Sequence, residues 1–164
     1  MRYLDPRQFG RLVPSPDGAP IAEWRALGRD PLADGLDAAW LGEALRGRRG
    51  PVKLALMDQS LLAGVGNIQA TEALWRAKIH PARPAGDLDR RAVARLVEGI
   101  LGSLRDTLAA EDGPELTYVE EAGAPNPFAV YGRAGEPCPR CPALVRDVLG
   151  GRGTVFCPRC QRPS

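Results

Sequence analysis

The sequence predicts a mainly α-helical protein with a small β hairpin at its C-terminal end. Apolar residues recur at helical spacing through the middle of the chain, and two short β-like runs flanked by cysteines follow near the end. The 164 residues suit one domain of ordinary size or two small ones, and the 44% of apolar residues supply a core. We find no internal repeat and no low-complexity segment.

Four segments have the apolar periodicity of amphipathic helices. They are residues 31–47, 52–64, 67–78 and 89–110. We expect Gly47 to end the first helix, Gly64 to end the second and Asn67 to cap the third. The first helix is predicted to carry Leu32 on its apolar face, and the last to bury a stripe that ends at Leu108.

The segment "LLAGVGNIQ" sets two glycines, Gly64 and Gly66, before Asn67 at the start of the third predicted helix. Glycine tolerates positive φ and close approach of a ligand, and the first N–H groups of a helix lack partners within it. Such a turn is suited to bind an anion. An ordinary corner between two helices is the alternative interpretation.

All four cysteines occur as Cys138-x2-Cys141-x15-Cys157-x2-Cys160. Two CxxC turns at this spacing favour one zinc ion bound by four thiolates, which leaves no position open for water and predicts a structural role. Two disulfides or a redox CxxC are the alternatives, and both fit the sequence less well. His80, the single histidine, is interpreted as a structural residue in a turn.

The residues between the two cysteine pairs, "VRDVLGGRGTVF", predict a hairpin with Arg152 at its tip. Residues 133–164 contain six arginines and two acidic residues, although the whole chain carries a net charge of only +2. An exposed arginine is commonly just solvated, but in this basic segment a phosphate contact is favoured. Together with the glycine turn, the hairpin predicts phosphate binding. No apolar run suits a membrane span or a signal peptide, so we expect a cytoplasmic protein.

Three segments resemble the bacterial formamidopyrimidine-DNA glycosylases and their endonuclease VIII relatives. "LMDQSLLAGVGNIQATEALWRAKIHP" is similar to their helix–two-turns–helix segment, "VYGRAGEPCPRC" with "GGRGTVFCPRCQ" to their zinc finger, and "YLDPRQFG" to the end of their N-terminal β-sandwich. The resemblance implies residues 1–20 as a β-sandwich remnant, 21–112 as the helix–two-turns–helix DNA-binding domain, 113–129 as a linker with the lesion loop, and 130–164 as the zinc finger.

The resemblance also implies roles for particular residues. Gly64, Gly66 and Asn67 would hold phosphates beside a lesion, and Arg152 would contact phosphates from the zinc hairpin. Near the N-terminus, Arg7 would pair with the orphaned base and Phe9 would wedge between base steps. Lys53 falls where the family has a lysine near the lesion pocket, although a lysine at a helix start is usually solvated.

The implied function is base-excision repair of double-stranded DNA that carries a lesion or abasic site, by removal of oxidised purines and β/δ-elimination. The family's N-terminal proline nucleophile and adjacent glutamate have no counterpart here. We therefore expect the catalytic domain to be absent, activity to be absent or weak, and the uncovered surface to favour self-association. A catalytically silent, zinc-dependent module that binds damaged DNA is one alternative, and a zinc-stabilised protein-interaction domain is another. The resemblance places the protein in the bacterial cytoplasm, at the nucleoid.

Overall fold

The computed structural model describes residues 14, 18, 21–110, 126–142, 145–149 and 152–163. Its elements are α1 (Ala22–Arg25), α2 (Ala38–Leu45), α3 (Val52–Leu56), α4 (Asn67–Ala77), a 3-10 turn (Ala85–Asp87), α5 (Arg90–Ala110), β1 (Val145–Leu149) and β2 (Arg152–Phe156). The predicted mainly α fold with one small β hairpin is thereby confirmed. The predicted sandwich remnant, with Arg7 and Phe9, and most of the predicted lesion loop lie outside the described residues.

Helices α4 and α5 form the centre of the helical part. A Cβ added to Gly99 on α5 would lie 2.6 Å from the Ala73 carbonyl oxygen, so glycine permits the two backbones to approach closely. The predicted stripe is buried along most of α5, but Leu108 is 58% exposed. In the last turns of α5 the contact with α4 is polar. The hydroxyl of Thr107, next to Leu108, accepts a hydrogen bond from Nε2 of Gln69 on α4 at 2.9 Å. None of the described helices combines the length and apolar character needed to cross a bilayer.

The first two predicted helices are shorter than expected. Helix α2 begins only at Ala38, because Asp37 caps it by accepting a hydrogen bond from Trp40 N at 2.8 Å. The residues before it form a turn in which Asp30 Oδ1 accepts hydrogen bonds from two backbone N–H groups, and Leu32 is consequently 40% exposed. The prediction for Leu32 was therefore wrong. Gly47, with φ of 71°, follows the end of α2 as expected.

Helix α3 ends at Leu56 instead of continuing to Gly64. The carboxylate of Asp58 accepts hydrogen bonds from both N and Oγ of Ser60 and from Arg48 Nη1. These side-chain bonds offer the backbone an alternative to the helical ladder, which explains why the apolar pattern overestimated the helix.

The finger hairpin pairs β1 with β2 in antiparallel register, from Val145 opposite Phe156 to Leu149 opposite Arg152. Arg152 and Gly153 therefore belong to β2, and Arg152 lies in the last pair of the described register. The finger packs on the C-terminal half of α4 through an apolar cluster that is separate from the core of the helical part. Its buried members are Trp75, Val130, Cys138, Val155 and Cys157.

Candidate nucleic-acid interface and metal centre

The glycine turn leads directly into α4 and is held by Gln59. Gly64 has φ of 79°, a conformation that favours glycine, and its N–H donates to Gln59 Oε1 at 2.9 Å. The amide of Gln59 in turn donates to Val65 O at 2.9 Å. Gly66 is the N-cap residue of α4 in an ordinary extended conformation, and no side chain caps this helix. A Cβ on Gly66 would meet no atom within 4 Å, so the turn faces open space.

Asn67 is the first residue of α4 and does not cap it, so the sequence prediction of a cap was wrong. Gly66 occupies the cap position, which leaves the Asn67 side chain free to reach the finger. Its Nδ2 lies 3.4 Å from Gly153 O, a long hydrogen bond. Its Oδ1 is buried and has no hydrogen-bond partner among the described residues.

Lys53 is only 1% exposed, whereas a lysine at a helix start is ordinarily solvated. Its Nζ donates to Thr154 Oγ1 at 2.8 Å and to Gly153 O at 3.3 Å. The Gly153 carbonyl thus accepts from both Lys53 and Asn67, and the start of β2 lies beside the glycine turn. Arg152 is the residue before Gly153, but its side chain lies outside the described part of the structure.

The four cysteines meet as the spacing predicts. Their Sγ atoms all lie within 4.8 Å of one another, none of the four is in a disulfide, and two are buried. This grouping suits a tetrahedral zinc ion, for which four thiolates are a common structural ligand set. His80 is not one of the group; its Nδ1 accepts a hydrogen bond from Ala82 N, and its ring lies edge-on to Phe156.

The surroundings of the cluster shift the pKa values of its thiols in opposite directions. Burial opposes ionisation of Cys138, but the N–H groups of Arg140 and Trp75 outweigh it and lower the pKa of this thiol to about 6. The hydrogen bond with Cys157 raises the pKa of Cys141 to about 12, because adjacent thiols compete for protons. A divalent cation at the centre would stabilise all four thiolates together.

Two buried polar residues that the sequence analysis did not single out join the finger to the helices. The carboxylate of Glu72, on α4, accepts hydrogen bonds from the backbone N–H groups of Ala129, Val130 and Tyr131. Gln161 accepts from Cys157 N at 2.9 Å and donates to Ile79 O at 2.9 Å. A polar residue within an otherwise apolar helix face was the available signal for Glu72.

Comparison with known families agrees with this architecture. Residues 27–117 match the formamidopyrimidine-DNA glycosylase H2TH domain, which covers more than half of the chain. The chain belongs to the formamidopyrimidine-DNA glycosylase family. Residues 135–163 match the zinc finger found in FPG and IleRS, so the four cysteines that converge in the structure form a family zinc finger that binds one zinc ion.

Relatives from several bacteria match almost all of this chain. Formamidopyrimidine-DNA glycosylase of Roseiflexus sp. (strain RS-1) is 43% identical, over 98% of this chain and 60% of its own length. The corresponding protein of Laribacter hongkongensis (strain HLHK9) is 44% identical, over 99% and 62%. The chain therefore spans about 60% of the length of these relatives.

Solved structures of the family share the fold. The MutM (Fpg) protein of Thermus thermophilus has 41% sequence identity and a TM-score of 0.75, over 96% of this chain and 62% of that one. Lactococcus lactis Fpg, solved with DNA containing an abasic site, has 32% identity and a TM-score of 0.74, over 86% and 54%.

Proposed function

We propose that this chain binds damaged double-stranded DNA in bacterial base-excision repair and contributes to the family reaction, removal of oxidised purines with strand cleavage at abasic sites. The glycine turn with Asn67 and the start of β2 with Arg152 would bind phosphates near the lesion. Such a function would place the protein with the bacterial chromosome.

The observation that carries this proposal is the shared carbonyl of Gly153. Because Asn67 and Lys53 both donate to it, the N-terminal end of α4 and the residue next to Arg152 lie side by side. Uncapped helix N–H groups attract phosphate, and a neighbouring arginine adds a charge-assisted contact. The proposal is also supported by the similarity to Lactococcus lactis Fpg, which was solved with lesion-containing DNA.

Some arginines of residues 133–164 make contacts within the protein and would not bind phosphate beside the glycine turn. The Arg133 guanidinium donates to Phe128 O, Asn126 O and Glu136, so it holds the finger's own loop together. Arg140 lies over Trp75. Zinc would hold the finger that carries Arg152 and would take no part in the chemistry.

A glycine substitution separates binding from folding. Gly66→Ala requires no unusual φ and creates no clash in the protein, so we expect a loss of stability of no more than about 1 kcal/mol, the cost of alanine at an N-cap position. If a phosphate lies against the turn, the added methyl group will weaken binding to a duplex with a tetrahydrofuran abasic-site analogue by about tenfold, equivalent to one lost charge-assisted bond. Gly50→Ala is the matched control, because a Cβ there also meets no atom within 4 Å.

The salt dependence of binding tests the contribution of Arg152. Each phosphate contact adds about 0.9 to the slope of log affinity against log salt, so Arg152→Ala should reduce that slope by about one. Arg91→Ala, on the exposed first turn of α5, removes one positive charge as a control. The proposed interface is wrong if Gly66→Ala and Arg152→Ala both bind this duplex as their controls do, by fluorescence anisotropy.

A further inference from the structure

The indole of Trp75 reaches the metal centre from outside the finger. Trp75 lies near the end of α4, is 7% exposed, and its Nε1 is 3.5 Å from Cys138 Sγ. The backbone N–H of Arg140 donates to the same sulfur at 3.4 Å. Cys138 is therefore the cysteine that receives N–H groups both from its own CxxC turn and from the helical part.

Arg140 fixes the orientation of this indole. Its guanidinium carbon lies 3.9 Å from the centre of the Trp75 ring, and its Nη1 donates to Trp75 O at 2.9 Å. A cation over an aromatic face is attracted by the ring, and the second bond ties the same arginine to the backbone of α4. The arginine therefore covers one face of the ring while the indole N–H faces sulfur.

We propose that Trp75 is an outer-shell residue of the zinc site, through which helix α4 controls how firmly the finger retains its metal. Four thiolates around one divalent cation carry a net negative charge, and N–H donors that offset it protect the sulfur from protons and competing chelators. Outer-shell partners of this kind commonly affect metal affinity by 10- to 100-fold. The inference concerns metal retention and is independent of the DNA-binding function proposed above.

The test compares Trp75→Phe with the parent chain in its zinc-loaded form. Phenylalanine preserves an aromatic ring but lacks the N–H donor, so we expect zinc to transfer to a chromogenic chelator about tenfold faster. In the cobalt(II)-substituted protein, the sulfur-to-metal charge-transfer band should move to longer wavelength. The lone pairs of Cys138 rise in energy when the hydrogen bond is lost, and a purely packing role would not move this band.

Trp40→Phe is the matched control. Trp40 also has an arginine over its ring, with Arg29 at 4.5 Å, but it packs on the core cluster of the helical part. We expect this variant to release zinc at the parent rate with an unmoved cobalt band. Arg140→Gln is a second variant on the exposed rim, and it should accelerate release in the same direction as Trp75→Phe.

Two outcomes would overturn the proposal. One is zinc release from both Trp75→Phe and Arg140→Gln at the parent rate. The other is faster release from Trp75→Phe with no shift of the cobalt band, which would assign Trp75 to packing alone. Circular dichroism of each variant establishes that the helices are intact in these comparisons.

Discussion

Substitution of Glu72 by glutamine should loosen the attachment of the finger to the helices. The Glu72 side chain is 1% exposed, and its two oxygens accept three backbone N–H groups. Val130 and Tyr131 donate to Oε1 at 2.8 Å each, and Ala129 donates to Oε2 at 3.1 Å. Glutamine fills the same volume but replaces one acceptor oxygen with an NH2 group.

The expected loss of stability follows from these three bonds. In the Glu72→Gln variant, the preferred orientation of the amide keeps its oxygen as the acceptor for the N–H groups of Val130 and Tyr131. The Ala129 N–H then faces the NH2 group of the amide. One hydrogen bond to a charged group is then lost, at about 2 kcal/mol, and two become neutral bonds, each weaker by about 0.5–1 kcal/mol. Burying an amide costs less than burying a carboxylate, which offsets part of this loss. We therefore expect a decrease of about 2–3 kcal/mol in the free energy of unfolding.

Urea denaturation at saturating zinc measures this change, with Glu98→Gln as the control. Glu98 lies on the exposed side of α5, where the same substitution should alter stability by less than about 0.5 kcal/mol. Hydrogen exchange of the Ala129–Tyr131 amides should accelerate in Glu72→Gln before the rest of the chain unfolds. Equal stability of the two variants, or unchanged exchange at these amides, would refute the assigned role of Glu72.

Two further predictions concern the metal and pH. Chelation of zinc should abolish hydrogen-exchange protection of the β2 amides, because metal binding and finger folding are coupled. The far-UV circular dichroism signal of the helices, α5 included, should persist. Protected β2 amides after chelation would contradict this prediction. The hydrogen bonds from Ser60 and Arg48 lower the pKa of Asp58 in the folded protein. The Asp58 carboxylate therefore stabilises the fold fully above its unfolded pKa of about 3.9, and this stabilisation is lost as the pH falls through the lower folded pKa. The stability difference between the parent and Asp58→Asn should be full at pH 7 and shrink below about pH 4, and a constant difference would count against it.

The sequence predicted α5 and the cysteine cluster well because both follow from local rules. Helix α5 begins at Arg90, one residue after the predicted start, where Asp89 accepts a hydrogen bond from Ala92 N at 2.7 Å. A long apolar stripe and an acidic cap both predict a helix that begins there. The CxxC spacing likewise constrains the chain tightly enough to bring the thiols together.

Sequence reasoning failed where a side chain bonds to a distant part of the chain. Lys53 and Asn67 both reach Gly153, which is 86 or more positions further along, and helical periodicity contains no information about such partners. Trp75 is buried in an apolar cluster, but its polar N–H requires a partner of its own. That partner, Cys138, lies 63 positions further along the chain and meets Trp75 only in the folded protein, where the finger packs on α4.

Helix α4 holds the finger by three different chemistries along its length. Asn67 meets β2 at the N-terminal end, Glu72 binds the backbone at residues 129–131, and Trp75 contacts the metal-binding residue Cys138. The N-terminal end of α4 is also the proposed phosphate site, so the helix that would bind DNA is the one that positions the hairpin with Arg152. Loss of zinc would therefore unfold β2 and displace Arg152 from the glycine turn, while the turn itself stays intact. On this argument, metal removal should weaken DNA binding even though zinc contacts no phosphate.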